Sequence, residues 1–342
     1  MNRSTDSARY ERDALAVGGT ASPHSRRWAV ILAGGDGTRL QDLTRFICGD
    51  DRPKQFCPLL GEQTLLAHTI ERAERSISSK QILFALTRTH QDFYLRDLDR
   101  FNRNRIVQPA NRGTAPPILF SLLSIEQMDP DALVAILPSD HHYADERCFT
   151  VALESAFEIA AEHPESIVLL GAQPDQIELE YGWIELGPRI ANQRSELRSV
   201  HGFWEKPTLE IARRMLLQGE VVWNTFVMVG RVQAFLEVIK RTISQVLEPL
   251  RRARLWDGSE IHIDESMYRH VPPSDFSREV LSIETERLVV LRAQDLGWSD
   301  LGNPGRVLLV VENNVLRPKW LKEWRQKRAA TAVCLKGRSA VA

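Results

Sequence analysis

The chain has 342 residues, of which 43% are hydrophobic and 26% charged, and its formal net charge is −1. This balance gives no overall basic field of the kind that binds nucleic acid, so no nucleic-acid partner is expected. The longest apolar runs are far shorter than the roughly 20 residues that cross a bilayer, so no membrane span is predicted. The length suits one large domain or two modest ones, and it is long enough for a substantial core.

The N-terminal residues and the cysteines bear on location. Residues 1–27 are rich in Ser, Arg, Asp and Ala and contain no apolar segment, so we expect a flexible tail and no secretory signal. The four cysteines match no zinc-binding spacing and are too few for a disulfide scaffold. They are Cys48, Cys57, Cys148 and Cys334. These features predict reduced thiols and a cytoplasmic location.

The first half of the chain alternates apolar strand patterns with helical patterns. The predicted strands are Trp28–Ala33, Gln81–Thr87, Arg105–Gln108, Ala132–Leu137 and Ser166–Ala172. The predicted helices are a segment with Leu66, Ile70, Ala73 and Ile77 on one face, Asp92–Phe101, Pro117–Met128 with Thr114 as its candidate cap, and Glu146–His163. This order is typical of a mostly parallel sheet with helices on both faces.

The second half is less regular. Its predicted strands are Gly182–Leu186, Leu197–Trp204, Val221–Val229 and Leu288–Leu291, and its predicted helices are Leu209–Gln218 and Val232–Arg241. No internal repeat or low-complexity linker interrupts this stretch. We therefore predict one α/β domain over residues 28–312, built on a Rossmann-like mixed, mostly parallel sheet flanked by helices.

A basic segment, residues 313–342, follows the predicted domain. Its stretch Arg317–Arg328, "RPKWLKEWRQKR", holds six basic residues, one acidic residue and two tryptophans. We expect a terminal helix that lays Trp320, Leu321 and Trp324 on the domain. A contact with a partner or with an anionic membrane surface is the alternative. A homodimer is left open as well.

The first predicted strand ends in a glycine-rich loop, "AGGDGTR", at residues 33–39. Glycines let backbone N–H groups approach a ligand closely, and such a turn before a helix attracts phosphate. Arg39 adds a cation that can hold phosphate oxygens through two bonds, and Lys54 adds a mobile point charge. The loop is predicted to cradle a polyphosphate; a tight structural turn is the alternative. The glycines concerned are Gly34, Gly35 and Gly37.

Two better-known phosphate loops do not fit this stretch. The dinucleotide fingerprint requires a third glycine where Leu40 stands, which disfavours a nicotinamide-dependent oxidoreductase. The Gly-Lys-Ser/Thr of the ATPase loop is absent as well. The glycine-rich loop therefore belongs to neither of these two kinds of phosphate-binding loop.

Two aspartates are candidate metal ligands. Asp140 follows the buried run Ala132–Leu137, so we expect it at the carboxyl end of a strand, where open α/β sheets bind ligands. Asp300 lies in a Gly-Trp-Ser-Asp turn. Two carboxylates from distant segments suit Mg²⁺, whereas a helix cap or a turn aspartate is the alternative for each. His141 and His142 are expected to be loop residues and not ligands.

These motifs together resemble one known family. "LAGGDGTRL" followed by "RPKQF" resembles the signature of sugar-1-phosphate nucleotidyltransferases and is most similar to that of mannose-1-phosphate guanylyltransferases. Similar segments follow in order: "RGTAPPI" (Arg112–Ile118), "ILPSDHHY" (Ile136–Tyr143), "YGWIELG" (Tyr181–Gly187), "FWEKP" (Phe203–Pro207), "VWNTFVMVG" (Val222–Gly230) and "GWSDLG" (Gly297–Gly302). The resemblance implies an α/β fold of the nucleotide-diphospho-sugar transferase type. It also implies a Mg²⁺-dependent reaction of GTP with mannose 1-phosphate, giving GDP-mannose and pyrophosphate.

The resemblance also implies roles for individual residues. Catalytic roles fall to Arg39, Lys54, Asp140 and Lys206, and metal binding to Asp140 and Asp300. Nucleotide contacts fall to Ala33, Gly34, Gly35, Gly37, Thr38, Thr114 and Ala115. Sugar-phosphate contacts fall to Gly182, Glu205, Lys206 and Asn224.

Some positions depart from the family pattern. Gly113 stands where Asn is common, Thr225 and Phe226 where Ser-Gly is common, and Ser277 where Asp is common. The bulky Phe226 is expected to narrow or reshape the sugar pocket. Another pair of nucleoside triphosphate and hexose 1-phosphate, or a non-catalytic regulator that binds sugar nucleotides, therefore stays open. The extensions of bifunctional relatives are missing, so a single activity is expected.

Overall fold

Parallel pairing organises the first half of the sheet. A computed structural model describes three stretches of the chain: residues 26–190, 197–256 and 261–328. Strand β1 (Arg27–Leu32) lies between β2 (Ile82–Thr87) and β4 (Leu133–Pro138) and pairs with both in parallel. Strand β3 (Arg105–Gln108) pairs with β2, also in parallel. The carboxyl ends of these strands therefore meet at one edge of the sheet.

Antiparallel pairing prevails in the second half. Its strands are β5 (Ile167–Ala172), β6 (Gly182–Arg189), β7 (Leu197–Glu205), β8 (Val221–Arg231) and β11 (Leu288–Ala293). The two short strands β9 (Arg254–Trp256) and β10 (Ile261–Ile263) extend the sheet beyond β3. Strand β8 joins the halves, because its end pairs with β4 and β5 while its beginning pairs with β6. A single sheet thus carries both halves of the domain.

Helices cover both faces of this sheet. They are α1 (Gln41–Cys48), α2 (Leu65–Glu74), α3 (Gln91–Tyr94), α4 (Ala115–Met128), α5 (Glu146–Glu162), α6 (Leu209–Gln218), α7 (Val232–Thr242), α8 (Ser244–Ala253), α9 (Glu265–Tyr268) and α10 (Pro304–Asn313). Helices α4, α7 and α8 pack on one face, and α2 and α5 on the other. In β1, Val30 enters the first core and Ile31 the second, which explains its continuous apolar run. The predicted mixed α/β fold is confirmed.

Two sequence predictions around α3 and α4 need correction. The predicted helix Asp92–Phe101 is only α3 followed by a 3₁₀ segment, Asp99–Asn104, which is interrupted because Phe101 has φ −114° and ψ 32°. This break lets Phe101 enter the core beside Phe84. Thr114 does precede α4, but its side chain does not cap the helix. Instead, the Thr114 hydroxyl oxygen accepts a 2.8 Å hydrogen bond from the Phe276 N–H.

The described part of the C-terminal segment packs on the domain. Trp320, Leu321 and Trp324 are buried in a small core with α1 and α10, as predicted. The Trp320 indole N–H donates to the Leu59 carbonyl oxygen at 3.1 Å. Helices α1, α8 and α10 were not among the sequence predictions. The predicted flexible tail lies outside the described residues except for its last two positions, and Cys334 lies outside them too.

The sequence predicts no membrane span and reduced thiols. In the described stretches, no helix combines the length and the apolar character that a bilayer crossing requires. Cys48, Cys57 and Cys148 are free thiols, and the Sγ atoms of Cys48 and Cys57 lie 3.3 Å apart.

Candidate functional site

A cavity of about 400 Å³ opens at the carboxyl ends of β1 and β4. Its volume lies in the range of small-molecule sites, roughly 300–1,000 Å³. The predicted site residues that line it are Gly34, Gly35, Arg39, Thr114, Asp140, Gly182, Glu205, Lys206, Asn224 and Asp300. Those that do not are Ala33, Gly37, Thr38, Lys54 and Ala115. Residues from segments far apart in the chain therefore meet at the edge that the sequence indicated.

The side chains of Gln55 and Thr87 hold the carbonyl oxygens of the glycine-rich loop. The Gln55 amide nitrogen donates to the carbonyl oxygens of Ala33 and Gly35, at 3.2 and 2.7 Å. The Thr87 hydroxyl donates to the Gly34 carbonyl oxygen at 2.9 Å. Because these carbonyl oxygens are engaged by the protein, the loop is suited to offer N–H groups to an anion. Ala33 itself is fully buried, which explains why it does not line the cavity.

The loop then turns into a helix. Gly37 has φ +61°, a left-handed conformation that favours glycine, and a Cβ there would come within 3.0 Å of the Lys54 backbone nitrogen. A 3₁₀ turn, Thr38–Leu40, follows and leads into α1. Arg39 in this turn lies 2.8 Å from Glu180, and both side chains are about half exposed. This ion pair spans the cavity wall, because both residues line it.

Lys54 is the central cation of the site, although it lies behind the cavity wall. Its ammonium donates to the backbone carbonyl oxygen of Asp300 at 2.6 Å and lies 3.1 Å from Asp140 Oδ2. The side chain is buried, and a buried ammonium needs such partners. The prediction of a mobile point charge is therefore wrong: Lys54 is fixed between the two segments that carry the aspartates.

The Asp300 carboxylate is held by several donors on one oxygen. Asp300 Oδ1 accepts from the Gly302 N–H at 2.8 Å, the Tyr181 hydroxyl at 3.1 Å and Arg306 Nη1 at 2.5 Å. Arg306 is also paired with Glu178 at 2.8 Å. Burial alone would raise the pKa of Asp300, but the cations Lys54 and Arg306 hold it below its usual value. Asp300 is thus an oriented, ionised carboxylate.

A short bridge joins the two aspartate segments. His142 and Ser299 exchange backbone hydrogen bonds of 2.9 and 3.0 Å. The Trp298 indole N–H donates to His141 Nδ1 at 3.2 Å. Burial lowers the pKa of His141 and brings that of His142 to about 4, so both imidazoles are neutral at neutral pH. The two histidines therefore position the aspartate segments.

The aspartates meet the requirements of one particular kind of metal site. Across the described ranges, no group of three or more His, Cys, Asp or Glu side chains is arranged to hold a metal ion. Mg²⁺ does not require one, since it takes one or two carboxylates and completes its shell with phosphate and water. Asp140 and Asp300 both line the cavity. The hydrogen bonds to Asp300 described above all fall on Oδ1, so Oδ2 is the oxygen suited to a ligand. This donor set fits Mg²⁺.

The predicted sugar-phosphate residues form a second corner of the cavity. Gly182 of β6 pairs with Glu205 of β7. A Cβ on Gly182 would lie 2.9 Å from Glu205 Oε2 and 3.2 Å from the Asn224 Cβ, so a side chain there would have to displace both residues. Burial, and next the charge of Asp275, raise the pKa of Glu205. Lys206 follows with φ +52°.

The residues that depart from the family pattern have definite positions. The Thr225 hydroxyl points into the protein and donates to the Leu170 carbonyl oxygen at 2.7 Å. Phe226 has φ +59°. Phe226 and Ser277 both line the cavity. Gly113 has φ +88°, and a Cβ there would lie 2.3 Å from the Ser274 carbonyl oxygen, so an asparagine would not fit this backbone.

Several residues of the site were missed by sequence reasoning. They are Gln55, Thr87, Gln108, Glu180, Tyr181 as an Asp300 partner, and Arg306. Gln55 had a usable signal, because it stands beside Lys54 in the quoted "RPKQF". Arg306 lies only six residues after Asp300, but the sequence does not show that its side chain turns back to that carboxylate.

Comparisons with known proteins point in one direction. Residues 28–314 match the nucleotidyl transferase family. The mannose-1-phosphate guanylyltransferase of Escherichia coli K12 is 31% identical over 82% of this chain and 58% of its own length. Mannose-1-phosphate guanylyltransferase ManC of Salmonella typhimurium is 30% identical over the same shares. The chain thus spans less than two thirds of these relatives.

A solved structure is also similar. It is a crystal structure named mannose-1-phosphate geranyltransferase, from Thermus thermophilus, with a TM-score of 0.71 and 30% identity. The match covers 83% of this chain and 79% of that one.

Proposed function

Because the chain belongs to the nucleotidyl transferase family, we propose that it transfers a guanylyl group from GTP to mannose 1-phosphate. A phosphate oxygen of mannose 1-phosphate attacks the α-phosphorus of GTP, and the bond from that phosphorus to the β-phosphate oxygen breaks. The products are GDP-mannose and pyrophosphate. The observation that carries the proposal is Lys54, held between Asp140 and the backbone of Asp300 beside one cavity. The names of the similar proteins support the choice of substrates.

The attacking phosphate is already an anion, so the reaction needs no strong base. The protein must instead hold two anions together and offset the charge of the transition state. We assign this work to Arg39, Lys54 and Lys206. Arg39 must exchange Glu180 for a phosphate when the triphosphate binds, since the two are now paired at 2.8 Å.

We propose that Asp140 and Asp300 hold Mg²⁺. When bound, the ion would neutralise charge on the phosphates of the substrate and of the departing pyrophosphate. Tyr181 and Arg306 keep Asp300 Oδ1 occupied, so that the carboxylate keeps its orientation. Lys54 sets the spacing of the two segments.

The remaining predicted residues divide between the two substrates. The glycine loop, of which Gly34 and Gly35 line the cavity, is proposed to bind the triphosphate together with Gly37 and Thr38, and the backbone near Ala33 is proposed to lie along the base. Thr114 lines the cavity where the base would lie, and Ala115 begins α4 beside it. Gly182, Glu205, Lys206 and Asn224 are proposed to bind mannose 1-phosphate.

Pyrophosphate release tests the proposal. Purified protein with Mg²⁺ is given GTP, ATP, UTP, CTP or dTTP together with mannose, glucose or fucose 1-phosphate. We expect release with GTP and mannose 1-phosphate, and a loss of about 10²-fold or more in kcat for Asp140→Asn. The matched control is Asp42→Asn, whose side chain is 93% exposed on α1. Release with another pair would replace the substrate, and release unaffected by Asp140→Asn would overturn the site.

A second candidate is a regulator that binds sugar nucleotides without turnover. The Arg39–Glu180 pair favours it, because it engages a phosphate-binding cation across the cavity wall. Binding of GDP-mannose by folded protein that releases no pyrophosphate would support this reading over the first.

Assembly and location are proposals too. We propose a cytoplasmic enzyme that forms a homodimer, and a partner contact on the exposed basic side of residues 317–328. Deleting this segment would uncover the core around Trp320, so charge reversal at the exposed Lys322 and Arg328 is the better test of the contact. Unchanged fractionation and oligomer size after both reversals would remove the idea of a partner there.

A further inference from the structure

Phe226 occupies an unusual backbone conformation. Its φ of +59° lies in the left-handed region, which a bulky aromatic residue rarely adopts and which glycine adopts freely. Such strain persists only where the surroundings enforce it, and it concentrates at functional sites. Phe226 lines the cavity, so the strain lies where a substrate would bind.

A bulge in β8 enforces this conformation. Leu169 pairs with Met228 and Gly171 with Asn224, so the residues 225–227 stand opposite Leu170 alone. The Thr225 hydroxyl donates to the Leu170 carbonyl oxygen, and the Phe226 N–H donates to Asn224 Oδ1 at 3.0 Å. The bulge is therefore held by two side chains of its own sequence, and it turns residue 226 toward the cavity.

The bulge places an aromatic ring next to the sugar-phosphate corner. Phe226 is half-buried and packs against the core that α4 and α7 share. Leu32 and Pro138, from the ends of β1 and β4, line the same cavity. Asn224, two residues away, and Glu205 both lie close to Gly182, since a Cβ built there would be 3.2 Å from the Asn224 Cβ and 2.9 Å from Glu205 Oε2. The pocket thus has a polar wall at Glu205 and an apolar wall at Phe226.

We propose that Phe226 is a specificity-determining residue that restricts the sugar pocket to hexose 1-phosphates without a bulky substituent. In particular, it excludes sugars that carry an acetamido group. The inference rests on the proposed function, since it assumes that Glu205, Asn224 and Lys206 bind a sugar phosphate. The bulge fixes the backbone of Phe226, and the ring packs against the core of α4 and α7, so its room to withdraw is limited and it rejects by volume. A hydrophobic wall of this kind discriminates by roughly tenfold to a few hundredfold.

The test compares mannose 1-phosphate with N-acetylmannosamine 1-phosphate, which differ by one acetamido group. The ratio of their kcat/KM values with GTP is measured for the wild type, Phe226→Gly and Phe226→Leu. We expect the ratio to shift toward the acetamido sugar by at least about tenfold in Phe226→Gly and by less in Phe226→Leu. The control is Leu217→Ala, an apolar residue 88% exposed on α6. A ratio unchanged within twofold in both Phe226 variants would overturn the inference.

Stability separates this role from a structural one. Glycine adopts φ +59° without strain, so Phe226→Gly is expected to unfold at a temperature no lower than that of Phe226→Ala, which keeps the strained backbone. If Phe226→Gly does not fold, Phe226→Leu carries the test, because its side chain still covers the core.

The inference and the proposed function fail in different ways. A wild type that releases no pyrophosphate from any pair contradicts the proposed function. The same two sugar phosphates are then titrated calorimetrically into the same variants. A tenfold gain in relative affinity for the acetamido sugar supports Phe226 as the selecting residue, and an unchanged relative affinity refutes it.

Discussion

The two corners of the cavity are built by opposite means. At the proposed phosphate corner, Lys54 is held by the Asp140 carboxylate and by the Asp300 backbone carbonyl oxygen through short contacts, and the pKa of Asp300 lies below its usual value. The proposed sugar corner is the part of the cavity lined by Gly182, Glu205, Lys206 and Asn224. There the pKa of Glu205 is raised, and Phe226 presents an apolar ring from a strained backbone. The proposed phosphate corner is therefore arranged around fixed charges, whereas the proposed sugar corner combines the charged groups Glu205 and Lys206 with an apolar ring.

This difference separates the chemistry from the choice of substrate. Phosphoryl chemistry always requires charge compensation, so the phosphate corner admits few solutions. Sugars differ in the position and size of neutral substituents, which a side chain or a bulge can select without altering the charged groups. Of the departures from the family pattern, Thr225, Phe226 and Ser277 lie on the proposed sugar side, whereas Gly113 adjoins Thr114 on the proposed nucleotide side.

The largest expected loss of activity follows from removing the Lys54 ammonium at the proposed phosphate corner. Lys54→Met removes the ammonium that joins Asp140 to the Asp300 backbone, so we expect kcat to fall by about 10²-fold or more. The protein should also lose about 1–3 kcal/mol of stability, because buried acceptors are left without a donor. Pyrophosphate release and urea unfolding measure the two effects. Lys319→Met is the control, since Lys319 is 90% exposed; a Lys54→Met variant with near-normal turnover would contradict the assignment.

A smaller loss of activity is expected when Arg306, a charged partner of Asp300, is replaced. Arg306→Met leaves Asp300 Oδ1 with the Tyr181 hydroxyl and the Gly302 N–H only, so the carboxylate is less firmly oriented. We expect a weaker affinity for Mn²⁺, measured by its paramagnetic signal without substrate, and a loss of about tenfold in kcat/KM. Arg306→Lys should recover part of both. Equal Mn²⁺ affinity in all three proteins would argue that Arg306 only supports the fold.

A modest gain in affinity for GTP is expected when the Arg39–Glu180 ion pair at the cavity wall is broken. Glu180→Gln releases Arg39 from an exposed ion pair, and such pairs are worth about 0–1 kcal/mol. The KM for GTP should therefore fall by at most about fivefold, and more so at low salt. A rise in KM would show instead that Glu180 positions Arg39 for the triphosphate.

The smallest effect concerns the sugar corner and pH. The pKa of Glu205 is raised in the folded state, so the native protein holds this proton to higher pH than the unfolded chain does. Stability from this group is therefore present below the unfolded pKa and is lost as pH rises through the folded one. Glu205→Gln should be stabilising at pH 7 relative to wild type, and this advantage should vanish near pH 4.

Unfolding in urea at the two pH values checks this prediction. Glu210→Gln, an exposed neighbour on α6, serves as the control and should show no such pH dependence. An advantage of Glu205→Gln that grows as the pH falls would contradict the raised pKa.

Particular residues show how far sequence reasoning reaches. Strand β4 was recognisable because both of its faces are buried, so its residues form one apolar run. The helix predicted at Asp92–Phe101 was wrong, because packing of Phe101 in the core outweighs helical periodicity over a short stretch. At the site, Asp140 and Arg39 stand in local motifs, whereas Tyr181 reaches Asp300 only because the fold brings together segments 119 residues apart.

The sequence by itself determined the α/β class, the glycine loop and the charged residues, because these depend on local periodicity, backbone freedom and residue type. Only the tertiary structure decided which groups hold one another: that Lys54 is fixed and not mobile, and that Tyr181 and Arg306 share one oxygen of Asp300. It also decided that Phe226 faces the cavity, since a bulge between β5 and β8 sets its φ. Lys54 and Tyr181 reach Asp300 from segments far apart in the chain, and no local pattern encodes the distance between them; Arg306 is only six residues from Asp300, but its side chain meets the carboxylate only because of how the turn leads into α10.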